Sequence, residues 1–220
     1  MVATFQDAAI FDQPIGNWNV SNVTNMSNMF WNCVKFNQSL DTWNTIKVTS
    51  LSYTFYNCKL YNQPMNNWNT SAVTVLSATF RGCTVFNQDL SSWNTANVTN
   101  MGMTFYEAEA FNGNITTWNT SKNLYLTATF QSASAFNQDI SSWDVSKVID
   151  MSLTFNSCTI FNKNLSVWNT ISVTAMNAMF QGAVAFNQPV NTWNTANVTN
   201  MQLTFSDATA FNQPLDAWNV

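Results

Sequence analysis

The sequence predicts a repeat solenoid of the α/β class, about nine units of 25 residues across 1–220, each with one short strand and one short helix. Two aromatic columns carry the repeat. One holds Phe11, Phe36, Tyr61, Phe86, Phe111, Phe136, Phe161, Phe186 and Phe211, and the other Trp18, Trp43, Trp68, Trp93, Trp118, Trp143, Trp168, Trp193 and Trp218. Self-similarity at a fixed period marks an architecture in which each unit packs mainly on its neighbours. The third observation is a change of apolar spacing between the two halves of every unit.

Each unit opens with a turn. The aromatic is followed by Asn37, Asn62, Asn87, Asn112, Asn137, Asn162, Asn187 and Asn212, with Asp12 in the first unit. A side-chain amide there can satisfy backbone groups of a tight turn, so this column reads as an internal asparagine ladder. Pro14, Pro64, Pro189 and Pro214 share one column just beyond it. Proline cannot donate a ladder bond, so that column is a turn or edge position.

The strand comes next. Trp18-Asn19-Val20 and Trp143-Asp144-Val145 alternate apolar, polar, apolar, and the run from Ile15 through Trp18 to Val20 is similar to the L-x-x-L-x-L run of leucine-rich repeats. With the Trp pointing inward, the next column (Asn44, Asn69, Asn94, Asn119, Asp144, Asn169, Asn194) points outward. The helix follows. Val23, Met26, Phe30 and Cys33 are spaced three, four and three, a narrow arc at about 100° per residue.

Composition excludes several functions. Of the 220 residues 46% are hydrophobic, enough for a sizeable core, but only 8% are charged, so Asn, Thr, Ser and Gln must form most of the wetted surface. A net charge of −4 argues against nucleic acid, whose binding rests on Lys and Arg neutralising phosphates. No apolar run approaches the roughly 20 residues of a membrane span. Histidine is absent, which removes the commonest general base and zinc ligand. No cofactor is expected.

The words Phe136-Asn137-Gln138-Asp139-Ile140-Ser141-Ser142-Trp143-Asp144-Val145-Ser146-Lys147-Val148 and Val23-Thr24-Asn25-Met26-Ser27-Asn28-Met29-Phe30 closely resemble the BspA-like surface-protein repeat, the mycoplasma-type lipoprotein repeat of unknown function. The resemblance covers the whole chain. It implies a leucine-rich-repeat-like solenoid displayed on a cell surface, in a family associated with adhesion and binding of host or matrix proteins, without catalytic residues to carry over. The chain departs at Ser121-Lys122-Asn123-Leu124-Tyr125-Leu126, where the usual Val-Thr pair is displaced and Leu124 is expected to take the Val role.

Few residues suggest chemistry. Cys33, Cys58, Cys83 and Cys158 share a column that elsewhere holds Ala8, Ala108, Ala133, Ala183 and Ala208, which reads as a small buried position. Asp89 and Asp139 lie two units apart, at a separation a paired-acid site could use, but Asn114 stands between them and solvated turn aspartates are the simpler reading. Two threonine columns, one through Thr24, Thr49 and Thr74 and one through Thr54, Thr79 and Thr104, raise the alternative of ice binding. Sequons such as Asn22 and Asn97 follow from a chain this rich in Asn, Ser and Thr.

Neither end carries an atypical polar unit: Met1 shares a column with Met26, and Val220 with Val20. A single array without recognisable caps suggests an excerpt of a longer protein or a subunit stacking head to tail through Phe5, Phe11, Phe211 and Trp218. The functional expectation is a non-enzymatic extracellular or cell-surface structural and adhesive module binding protein or glycan. Its face would be the outward Asn column with Thr42, Ser92, Thr117, Ser142 and Thr192 beside it. The alternatives are a self-assembling filament subunit, whose partner is itself, and an ice-binding solenoid.

Overall fold

Each coil is tied to the next by peptide groups that point along the stack, in a computed structural model describing residues 1–219. Met26, Asn28, Phe30 and Asn32 donate their N–H groups to the carbonyls of Ser50, Ser52, Thr54 and Tyr56, at 2.9–3.1 Å. The carbonyls of the same four peptide groups, on Asn25, Ser27, Met29 and Trp31, accept from Met1, Ala3, Phe5 and Asp7 of the preceding coil. Three other amides turn back three residues, Met29 to Met26, Trp31 to Asn28 and Cys33 to Phe30, and Ser27 donates to Asn25 Oδ1. So the arc from 26 to 33 is a run of tight turns in which alternate peptides bond along the stack and within the coil.

That arrangement overturns the expected helix. No helix exists among the described residues, and strand pairing is confined to isolated parallel bridges from Asn25↔Ser50 to Ala175↔Asn200. The unit is therefore not the strand-plus-helix of a leucine-rich repeat. An α-helix closes its amides on its own carbonyls four residues back, which leaves none for a neighbouring coil. Helices also pack 8–10 Å apart. Here Phe30 and Phe55 are centred 5.4 Å apart, and on the opposite side of the core Trp68 and Trp93 are 6.4 Å apart.

Backbone torsions seal the outcome. Two columns hold left-handed conformations in every coil: Asn28, Tyr53, Met103 and Leu153 belong to one, Asn32, Asn57, Glu107 and Ser132 to the other, at φ between 56° and 61°. A turn with positive φ at its third residue is of type II, whereas a right-handed helix needs φ near −63° throughout. Gly82 and Gly182 occupy the second column at φ 72° and 69°.

The inward residues hold in the main, with Val23 only half-buried against the core. Met26, Phe30 and Cys33 are fully buried. A chain of tight turns returns to the core every three or four residues and so imitates helical spacing.

Among the described residues the Trp half contains no strand either, though its alternation holds: Trp43 is buried, Asn44 exposed, Thr45 buried. Here side chains do the joining. Trp43 Nε1 donates to the Ile15 carbonyl, 28 residues back, at 3.1 Å, and the same bond recurs every 25 residues, from Trp68 to Leu40, through to Trp218 and Val190. Thr45 Oγ1 donates forward to the Asn69 carbonyl. The asparagine ladder runs between coils rather than within a turn: the N–H of Asn62 donates to Asn37 Oδ1, that of Asn87 to Asn62 Oδ1, and so on to Asn212. Gln63 and Gln88 reach the same acceptors through Nε2. This is why so polar a sequence folds. Its Asn, Gln and Thr supply inter-coil bonds that a sheet would draw from backbone.

The core is a set of stacked aromatic files. Phe105, for example, lies 3.8 Å from Phe111 within its coil and 5.7–5.8 Å from Phe80 and Phe130 in its neighbours. Such offset stacks add about 0.5–1.5 kcal/mol per pair to the area they bury.

The irregular unit keeps its register. Asn123, not Leu124, takes the buried Val position, with its Oδ1 buried and unbonded and its Nδ2 donating to the Tyr125 carbonyl. Leu124 stays half-exposed in the Thr column, bonded to Thr99 and Ile149 through its backbone. A one-residue shift would break those inter-coil bonds and turn each side chain to the wrong face, so the coil tolerates a buried amide instead.

Candidate functional site

Asn44, Asn69, Asn94, Asn119, Asp144, Asn169 and Asn194 all face solvent. Each folds its Oδ1 back onto the backbone two residues on: Asn69 and Asn119 accept from the N–H groups of Ser71 and Ser121, Asp144 from Ser146, Asn194 from Ala196. That fixes which way the amide points. Oδ1 is consumed and the Nδ2 donors form an outward file, broken once by the Asp144 carboxylate, which its Ser146 bonds hold below the usual carboxylate range.

The hydroxyls beside that file are exposed but engaged. Thr42, Ser92, Thr117, Ser142 and Thr192 each donate to a carbonyl 26 residues back, from Gly16 to Ser166, at 2.6–3.1 Å. They keep only acceptor capacity. These bonds pre-order the side chains of the face. At its edge a groove of about 600 Å³ is lined by Pro14, Gly16, Asn17, Gln38, Ser39 and Thr42, none of which titrates.

The other sequence candidates separate clearly. The four cysteines are free and buried, each thiol donating to a carbonyl 28 residues earlier, as Cys83 does to Phe55 at 2.9 Å. Burial pushes the Cys33 thiol up to about 11 and raises the other three well above the ordinary thiol range, so none is a poised nucleophile. Asp89 and Asp139 are exposed turn residues whose oxygens accept from Ser91 and Ser141, which lowers both carboxyls. No group of His, Cys, Asp and Glu among the described residues is arranged to hold a metal.

Of the two threonine columns, the one through Thr54, Thr79 and Thr104 is fully buried, its hydroxyls shared between carbonyls 3 and 28 residues back. Only the Thr49 and Thr74 column faces water. Phe5, Phe11, Phe211 and Trp218 lie half-buried against the core; Phe5 stacks on Phe11 at 4.1 Å and Trp218 on Trp193 at 6.4 Å.

One feature escaped the column reading. On the face formed by the tight-turn arc, Trp31 stacks on Tyr56 at 4.1 Å with Tyr53 beside it at 5.1 Å. The Arg81 guanidinium lies between Tyr56 and Tyr106, 5.1 and 4.4 Å from their centroids. A signal was present: Trp31 is the single tryptophan outside its column, and Arg81 the single arginine.

In-register 25-residue coils joined by periodic side-chain ladders define a repeat protein. The chain belongs to the DUF285 family, described as Mycoplasma protein of unknown function, whose model matches residues 1–59, 35–141 and 124–220. No curated protein and no solved structure matches it. No helix among the described residues is long and apolar enough to cross a membrane.

Proposed function

We propose that the chain is a non-enzymatic solenoid displayed at the cell surface, serving as a structural and adhesive module for extracellular protein or glycan. The observation that carries this reading is the outward file of Nδ2 donors from Asn44 to Asn194, locked by their own Oδ1 bonds. A pre-ordered polar array repeated coil after coil suits weak, multiplied contacts better than a deep small-molecule pocket. The test is saturable binding to matrix-protein and glycan arrays, repeated with Asn94→Asp and Asn119→Asp together. Aspartate keeps the turn, as Asp144 shows, and removes the donor. Binding that survives the double substitution unchanged would remove this face.

A second reading, self-assembly by stacking, draws support from the uniform polarity of the coils. The four axial peptides of each coil all present N–H forward and C=O backward. Wherever a run of coils stops, its two edges are therefore complementary, and a heterologous contact of that kind extends into a filament. Light scattering and negative-stain microscopy over a concentration series test it; a monodisperse monomer at high concentration would sink it.

A further inference from the structure

We propose that the patch centred on Arg81, with the adjoining groove at Gly102, binds a sugar ring bearing a carboxylate. This rests on the binding-module reading and assigns it a second face and a ligand class.

The fold does not require these residues. The column that holds Trp31, Tyr56, Arg81 and Tyr106 holds Gln131, Asn156 and Gln181 in later coils of the same geometry. The large side chains are therefore additions to a polar surface, concentrated in four adjacent coils.

No ion pair holds Arg81 among the described residues, and the nearby Glu107 carboxylate is turned to the Tyr106 hydroxyl. Both faces of the Arg81 guanidinium are covered by tyrosine rings, its Nε is buried without a partner, and its hydrogen bonding reduces to a 3.7 Å contact from Nη1 to Met103 Sδ. A planar cation whose faces are occupied and whose Nε is buried offers the end of its fork, the Nη1 and Nη2 pair, which can take a carboxylate bidentately.

Met103 also lines the neighbouring groove of about 210 Å³, with Ser77, Asn100, Gly102, Tyr125 and Thr127. That is below the roughly 300–1,000 Å³ of pockets for drug-sized ligands and fits a single ring. Gly102 opens its floor: a Cβ there would come within 3.2 Å of Asn100 Oδ1. Ser77 and the Asn100 amide nitrogen provide groups for ring hydroxyls, while Thr127 already donates to Asp150 Oδ2 at 2.8 Å and Asn100 Oδ1 accepts from Gly102; Tyr125, 37% exposed, provides an aromatic wall. An acidic peptide is disfavoured because it would need an open backbone edge. The amides of Leu76 and Ala78 at this place are already bonded to Asn100 and Gly102.

The test is titration of the chain with oligosaccharides ending in a uronic or sialic acid, against their methyl esters and neutral counterparts, and with an oligoglutamate peptide. We expect the acids to bind at least tenfold tighter than the esters. Arg81→Gln should abolish that preference while the chain keeps a single cooperative urea transition, since Gln131 and Gln181 occupy the same column in coils that fold alike. Tyr125→Ala should weaken acids and neutral sugars together. Equal binding of acid and ester, indifference to Arg81→Gln, preference for the peptide, or no saturable sugar binding would each overturn the proposal. Sugar or matrix-protein binding lost with Asn94→Asp and Asn119→Asp, but not with Arg81→Gln, would overturn this site while the broader reading stood.

Discussion

Ser132→Gly and Gly182→Ala, at equivalent positions of two coils, separate the turn run from a helix by the sign of their effects. Ser132 sits at φ 59° and Gly182 at φ 69°. Holding a non-glycine residue in the left-handed region costs about 1–2 kcal/mol, while glycine gives up about 0.5–1 kcal/mol in backbone entropy. Ser132→Gly should therefore stabilise by about 0.5–1 kcal/mol. Gly182→Ala should destabilise by about 0.5–1 kcal/mol from the same two terms, and further because it places a Cβ 3.3 Å from Ser157 Oγ. In a helix both signs invert, since glycine is worse than alanine there by about 1 kcal/mol. Urea unfolding followed by tryptophan fluorescence reads both shifts, with the slope checked for constancy. A destabilised Ser132→Gly together with a stabilised Gly182→Ala would refute the left-handed turns.

Three further outcomes follow from the packing. Trp118, 3% exposed and stacked between Trp93 and Trp143, should lose about 3–5 kcal/mol on Trp118→Ala, whereas Trp18, 41% exposed, should lose far less; equal losses in urea would contradict nearest-neighbour stacking. Asn123→Val should stabilise by about 1–3 kcal/mol, because it removes a buried unbonded oxygen from a column filled by Val98 and Val148 on either side; a drop in melting temperature would show that the amide is satisfied. The thiols should make stability fall in alkali. Their folded values lie above the ordinary 9.0, so the stability is fully present below pH 9 and is lost as pH rises from there through the raised values, beginning with Cys33 near 11. Replacing all four with Ala, the residue the column carries elsewhere, should flatten that decline in a pH series of urea midpoints.

The candidate faces were unevenly legible. The outward Asn column could be read directly, because residues next to a buried Trp in extended chain must point away from it. The Trp31, Tyr56, Arg81 and Tyr106 ladder could not, because a search for sameness passes over the residues that break a column. Arg81 and Tyr106 are 25 residues apart, and only the inter-coil register brings them to 4.4 Å. The thiols divided likewise: alternation of Cys with Ala announced a small buried site, but the bond from Cys83 to the Phe55 carbonyl needed coordinates.

By itself the sequence determined the period, the inward residues and the ladders. Burial sorts side chains by polarity, and a 25-residue repeat places equal residues in equal environments, so Phe30 and Phe55, or Asn37 and Asn62, had to meet. What only the tertiary structure decided is where the backbone amides go. A spacing of three, four and three suits a helix and a run of type II turns alike. The choice falls to the neighbouring coil, which sits too close for helix packing and accepts the N–H groups of Met26, Asn28, Phe30 and Asn32 that a helix would have kept for itself.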